Sequence, residues 1–116
     1  MKLISTSMEE IKKSKFIGYL YELDSIDEVK VILDDISSKN KKARHIPYAY
    51  IYKSQARKTD DKEPNGTAGN PIYNVLIREN LDHHLICVVR FFGGVKLGAG
   101  PLLRAYSKAA NDLIEK

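Results

Sequence analysis

The side chains able to do chemistry gather in two stretches. "RFFGGVKLGAGPLLR", residues 90–104, sets Gly93, Gly94, Gly98 and Gly100 among three cations, Arg90, Lys96 and Arg104. Glycines let a backbone take positive φ and approach a ligand closely. An apolar-periodic run follows, as at the start of a helix, whose unpaired N–H groups attract anions. The pattern suits phosphate or carboxylate recognition, with Arg90 and Arg104 closing over one spot and Lys96 above it. A tight strand-to-helix turn with solvated cations is the alternative the residues leave open. The loop is neither a Walker motif, since G-x-x-x-x-G-K-[ST] is absent, nor a dinucleotide fingerprint, since Leu103 replaces its last glycine.

The second stretch, "TDDKEPNGTAGNP", brings Asp60, Asp61 and Glu63 close together before a turn at Pro64-Asn65-Gly66. Clustered carboxylates can bind a hard cation or transfer protons, but this spacing is not that of a calcium loop. We therefore expect no metal site and read these as solvated loop charges. Pairing with Arg90, Lys96 or Arg104 to brace the glycine loop is the intermediate possibility. His45, at the start of the "HIPYAYIY" strand, completes a catalytic candidate set with Asp61 and Glu63. No nucleophile accompanies them. Lys41, Lys42 and Arg44 form a secondary basic patch, which is either an electrostatic footprint or a set of charges suited to a helix C-terminus. Tyr48, Tyr50 and Tyr52 would form a stacking platform or a core face with polar tips; the second is preferred. Cys87, in an apolar run, reads as inert core.

These residues need elements to position them. "KFIGYLYEL" alternates as a strand, and Ser25 with Glu28 reads as a capping box for an amphipathic helix over residues 26–38. "IPYAYIY" is a second strand. Residues 53–70 carry almost no apolar side chains and are expected to be a long functional or mobile loop. Asn70 as N-cap and Pro71 at the first helical position start a short helix ending near Asn80. "HHLICVVRFF" reads as a central strand over residues 84–92, and Pro101 opens a terminal helix carrying Leu102, Tyr106, Ala109 and Leu113 inward. Strands and helices mix without strict alternation, which indicates α+β.

At 116 residues and 43% apolar content the chain suits one domain, residues 1–116. Its formal charge of +4 permits nucleic acid or an acidic protein surface as partner without requiring either. One cysteine excludes an internal disulfide, and the first fifteen residues lack a secretory h-region. No run approaches the ~20 apolar residues of a membrane span. The expectation is a cytoplasmic protein with no membrane association and no cofactor; its oligomeric state is left open.

Taken together, "EIKKSKFIGYLYEL", "HIPYAYIY", "DDKEPNGTAGNP" and "RFFGGVKLGAGPLLRAYS" resemble the IMPACT family from about Glu10 onward. Pro101 departs from the family's usual glycine and Arg44 from a common threonine, and the expectation is the IMPACT domain alone, without the ferredoxin-like domain of many bacterial members. The resemblance implies a fold like the second domain of a small-subunit ribosomal protein. In that fold a mixed sheet has helices on one face and a left-handed βαβ crossover. It also implies a non-enzymatic role in translational regulation, since eukaryotic IMPACT competes for the ribosome-associated activator of a starvation-responsive kinase. Expected partners are RNA or DNA, or a ribosome-associated protein, met through the basic glycine loop. The alternative is an enzyme acting on a phosphorylated small molecule.

Overall fold

The computed structural model describes residues 1–114. Five strands, β1 (Lys2–Ile11), β2 (Ser14–Glu22), β3 (Tyr48–Tyr52), β4 (Gln55–Thr59) and β5 (His84–Phe91), form one sheet in the order β1-β2-β5-β3-β4. Three helices complete an α+β fold: α1 (Glu28–Lys39), α2 (Gly69–Arg78) and α3 (Ala99–Asn111).

The central run "LICVVR" in β5 is apolar at odd and even positions alike. A strand's successive side chains point to opposite faces, so such a run needs cover on both. Ile86 and Val88 pack with Ile72, Val75 and Leu76 of α2 and with Leu102, Tyr106 and Ala109 of α3. Leu85, Cys87 and Val89 pack on the other side with Val29, Ile32 and Ile36 of α1. Helices therefore cover both faces, not one as expected, and the reason was present in that uninterrupted apolar run. Every neighbouring pair is antiparallel, so the sheet is not mixed. Burial of Cys87 pushes its thiol up, in keeping with an inert core residue.

The left-handed connection follows from this topology. β2 and β3 run the same way with β5 between them, and so do β4 and β5 with β3 between them. The two crossovers step in opposite directions along the sheet between oppositely directed strands, but α1 and α2 lie on opposite faces. They must therefore be of opposite hand, so one is left-handed against the usual preference.

Several boundaries differ from the sequence reading. β1 and β4 were not anticipated, and β4 occupies part of the supposed loop over residues 53–70. α1 begins at Glu28, with the Ser25 hydroxyl accepting from the Asp27 N–H and Glu28 accepting from the Asp24 N–H, rather than forming a capping box on the helix. α2 and α3 begin two residues before their prolines, which places Pro71 and Pro101 at the third helical position. That position also tolerates proline, since its N–H has no partner within the helix.

Candidate functional site: a cationic cleft at one end of the sheet

At one end of the sheet the β1–β2 turn, the end of β5, the segment before β3 and the loop after β4 come together. Lys15 pairs with Phe91 across β2 and β5, and an isolated bridge joins His45 to Arg90. Arg44 N–H donates to Arg90 O at 2.8 Å, which fixes Arg44 beside the strand's last turn.

The acidic stretch folds inward. Asp60 caps α2 from a distance in sequence: Oδ1 accepts from the N–H groups of Ala68 and Gly69 at 3.1 and 2.8 Å, and Oδ2 accepts from Gly66 at 2.9 Å. Burial would raise its pKa, but these three N–H donors outweigh that and hold it below the ordinary value. Asp60, not Asn70, thus serves as cap. Asp61 accepts from the Ile46 N–H at 2.7 Å, and its carbonyl receives the His45 Nδ1–H at 2.8 Å. That donation leaves His45 Nε2 facing Glu63 Oε1 at 3.6 Å.

Glu63 is buried. Arg90 Nη1 donates to both of its oxygens at 2.9 and 2.8 Å, and the Tyr106 hydroxyl donates to Oε2. Burial first, and then this hydrogen bond to Glu63, push the Tyr106 phenol far up, so it stays protonated as a donor. Phe16 meets Tyr106 edge-on at 5.0 Å and lies under the Arg90 guanidinium. The expectation of solvated loop charges is therefore corrected: all three carboxylates are engaged internally, and Glu63 realises the bracing arrangement. A carboxylate and a guanidinium that leave water together keep their charges only when paired.

Above this buried group lies a cleft of about 250 Å³, whose lining includes Arg44, His45, Lys62, Glu63, Phe92 and Lys96. Arg90 forms part of its wall but is only 5% exposed, so it is no free surface cation. Arg104 is exposed on α3 beside Gly100 and does not line the cleft. Lys41 and Lys42 are exposed in the turn leading to Arg44. Lys62 lines the cleft and was passed over in the sequence, although it sits inside the acidic stretch. Phe92, over which Arg44 stacks at 4.8 Å, was likewise passed over. Tyr48, Tyr50 and Tyr52 pack against the α1-side core, and the Tyr52 hydroxyl donates to Asp24 O.

The glycines act unequally. Gly94 takes φ +89°, whereas Gly93, Gly98 and Gly100 do not use the left-handed region. Gly93 is needed for proximity, because a Cβ there would fall onto the Lys13 carbonyl group in the β1–β2 turn. Gly98 caps α3 in an extended conformation, and its carbonyl accepts from Leu102. No group of three metal-ligating side chains gathers among the described residues.

Residues 12–114 match the model of the Impact N-terminal domain. The chain belongs to this family. It is 34% identical to the IMPACT family member YigZ of Escherichia coli over 96% of its own length and 57% of that protein's. YvyE of Bacillus subtilis is 37% identical over 88% of this chain and 48% of its own. The chain thus spans about half the length of these relatives. A crystal structure described as that of an hypothetical protein superposes with a TM-score of 0.88 at 34% identity, covering 94% of this chain and 55% of that one. The two-domain translational regulator Yih1 superposes with a TM-score of 0.55 at 20% identity, over 95% of this chain and 44% of its own. That likeness concerns the fold alone. No helix among the described residues is long and apolar enough to cross a membrane.

Proposed function

We propose that this domain is a non-enzymatic binding module of the translation apparatus, working in the cytoplasm, that holds RNA through the cationic end of its sheet. One observation carries the reading. Asp60, Asp61 and Glu63 are engaged internally, while Lys12, Lys13, Lys15, Lys41, Lys42, Arg44, Lys62 and Lys96 form no ion pair among the described residues. A surface of unpaired cations binds a polyanion by releasing its counterions. Membership of the Impact family, together with a fold shared with the translational regulator Yih1, supports the cellular context.

The test is an anisotropy titration of the purified chain with a short RNA and matching single- and double-stranded DNA at two salt concentrations. Binding should weaken steeply with salt and fall on Lys96→Ala. Absent or salt-independent binding overturns the reading and moves the search to a ribosome-associated protein partner.

A second reading, an enzyme acting on a phosphorylated small molecule, is favoured by the 3.6 Å approach of His45 Nε2 to Glu63 at the cleft. Asp61 does not line that cleft, and neither do Ser, Thr or Cys side chains. Phosphate release from a nucleotide, abolished in His45→Ala, would establish this reading; no turnover by the intact chain would remove it.

A further inference from the structure

The cationic end as a whole would suit any polyanion, but the cleft at its centre has a narrower chemistry. Four of its lining residues are basic, Arg44, Lys62, Arg90 and Lys96, against one carboxylate, Glu63. That carboxylate is already committed to Arg90 Nη1 and Tyr106. The cations arrive from separate places: Arg44 from the segment before β3, Lys62 from the loop after β4, and Lys96 from the glycine loop. Arg44 and Lys96 are exposed, and Lys62 likewise, so their charges are available to a ligand.

Arg90 stands behind these three as a buried charge. Its side chain is 7% exposed, and its Nε is buried with no hydrogen-bond partner, although Nη1 is fully used. That nitrogen is closed to solvent, so Arg90 lends the cleft wall a buried positive charge rather than a donor that a ligand could reach. The cleft also has an aromatic wall. Phe92 is 38% exposed and carries the Arg44 guanidinium over its ring, while Leu97 and Leu102 line the same space. An aromatic face beside a stacked guanidinium is a platform for a planar base.

A single phosphodiester carries one negative charge, and a polymer backbone is followed by an open groove. A phosphate monoester carries close to two charges near neutral pH and three strong acceptor oxygens. With three available cations around a volume of about 250 Å³, the cleft matches a compact dianion, and the exposed Phe92 at its edge offers a face to an attached base. We infer that it binds a nucleotide bearing a phosphate monoester, supplied either as a free mononucleotide or as the phosphorylated end of an RNA. Lys62 and Lys96 would hold the phosphate, with Arg90 behind it, and Phe92 with Arg44 would meet the base. This rests on the RNA-binding reading only where the source is an RNA end.

The test compares adenosine monophosphate, adenosine and inorganic phosphate by calorimetry. In parallel, RNA ten-mers with 5′-phosphate, 3′-phosphate or only hydroxyl ends are followed by anisotropy. Adenosine monophosphate should bind at least tenfold more tightly than adenosine, and a phosphorylated end should add about tenfold over a hydroxyl end, as one charge-assisted contact is worth. Both preferences should disappear in Lys62→Ala/Lys96→Ala, and base-dependent binding should weaken in Phe92→Ala. They should persist in Arg57→Ala/Lys58→Ala, whose changes lie on the β4 edge. If adenosine monophosphate binds and no RNA does, the cleft assignment stands and the RNA reading falls. If RNA binds equally with every end and adenosine monophosphate does not bind, the cleft assignment is overturned and the RNA reading stands.

Discussion

Both ends of the sheet carry carboxylates, and they use them in opposite ways. At the end holding the β1–β2 turn and the glycine loop, Asp60, Asp61 and Glu63 turn inward to backbone N–H groups and to Arg90. Lys12, Lys13, Lys62 and Lys96 are left outside, with Glu10 of β1 exposed among them. At the other end Asp24 and Glu28 stay at the surface, where they meet the amino group of Met1 at 2.8 and 3.0 Å. Asp82 there accepts from the Ser54 N–H and pairs with His83. A formal charge of only +4 thus becomes a strongly uneven surface. Net charge describes solubility and steering, but where each carboxylate finds its partner decides which face a polyanion meets.

The comparison breaks most completely at Glu63. Glu63→Ala would leave Arg90 buried without its counter-charge and Tyr106 without its acceptor. Removing one partner of a buried pair costs about 3–5 kcal/mol, and urea unfolding should show a loss of that size. Replacing both charges, as in Glu63→Leu with Arg90→Met, should recover most of it, because the desolvation cost of the pair also disappears. If Glu63→Ala unfolds like the parent, the inward carboxylates are not structural and the contrast between the ends fails.

Next in size is Gly93→Ala. The added methyl would press on the Lys13 carbonyl, joining the glycine loop to the β1–β2 turn by a clash. Overpacking of this kind costs about 1–3 kcal/mol. Gly98→Ala, with only the Pro101 ring near its Cβ, is the matched control and should change stability far less.

How much of this was legible follows from burial. β2, β5 and all three helices announce themselves because their apolar residues recur at strand or helix spacing and are in fact covered. β1 and β4 are the sheet's two edges and give no such signal. The inward residues Ser5 and Ser7 of β1 are polar because their hydroxyls donate to the Leu113 and Ala109 carbonyls at 2.6 and 2.7 Å. "QARKT" of β4 faces solvent and carries the cations that guard an edge against further pairing. The turns were equally silent, since Lys12-Lys13 and Lys53-Ser54 adopt positive φ without glycine or asparagine. At the site, the residue types of "DDKEP" suggested chemistry, but their inward direction depends on partners at least twenty-seven positions away for Glu63. Only the bracing possibility pointed to it.

A smaller effect is expected at Asp60. Asp60→Ala removes the acceptor of three N–H groups at the start of α2, and loss of a cap costs about 0.5–2 kcal/mol. The sign of its pH dependence is fixed. The folded pKa lies below the ordinary value of 3.8, so the stabilisation is fully present above that value and is lost as pH falls toward the folded pKa. Acid titration of unfolding should therefore show a component below pH 3.8 that Asp60→Asn removes. An unchanged acid limb in that variant would show that the three N–H groups do not depend on the charge.

The smallest effect on folding belongs to the residues with the largest expected effect on binding. Lys62 and Lys96 are exposed and form no ion pair among the described residues, so Lys62→Ala and Lys96→Ala should each move stability by less than about 0.5 kcal/mol. On RNA each should lower the slope of log K against log salt by about one, as the loss of a single phosphate contact requires. Asp24→Asn, at the opposite end, removes a charge as well, but one already paired with the Met1 amino group. It should leave that slope alone, because the polyanion does not approach that end. Equal changes from Asp24→Asn and Lys96→Ala would mean that RNA responds only to the overall charge of the molecule. A change confined to the lysines would mean that the inward turn of three carboxylates is what directs it.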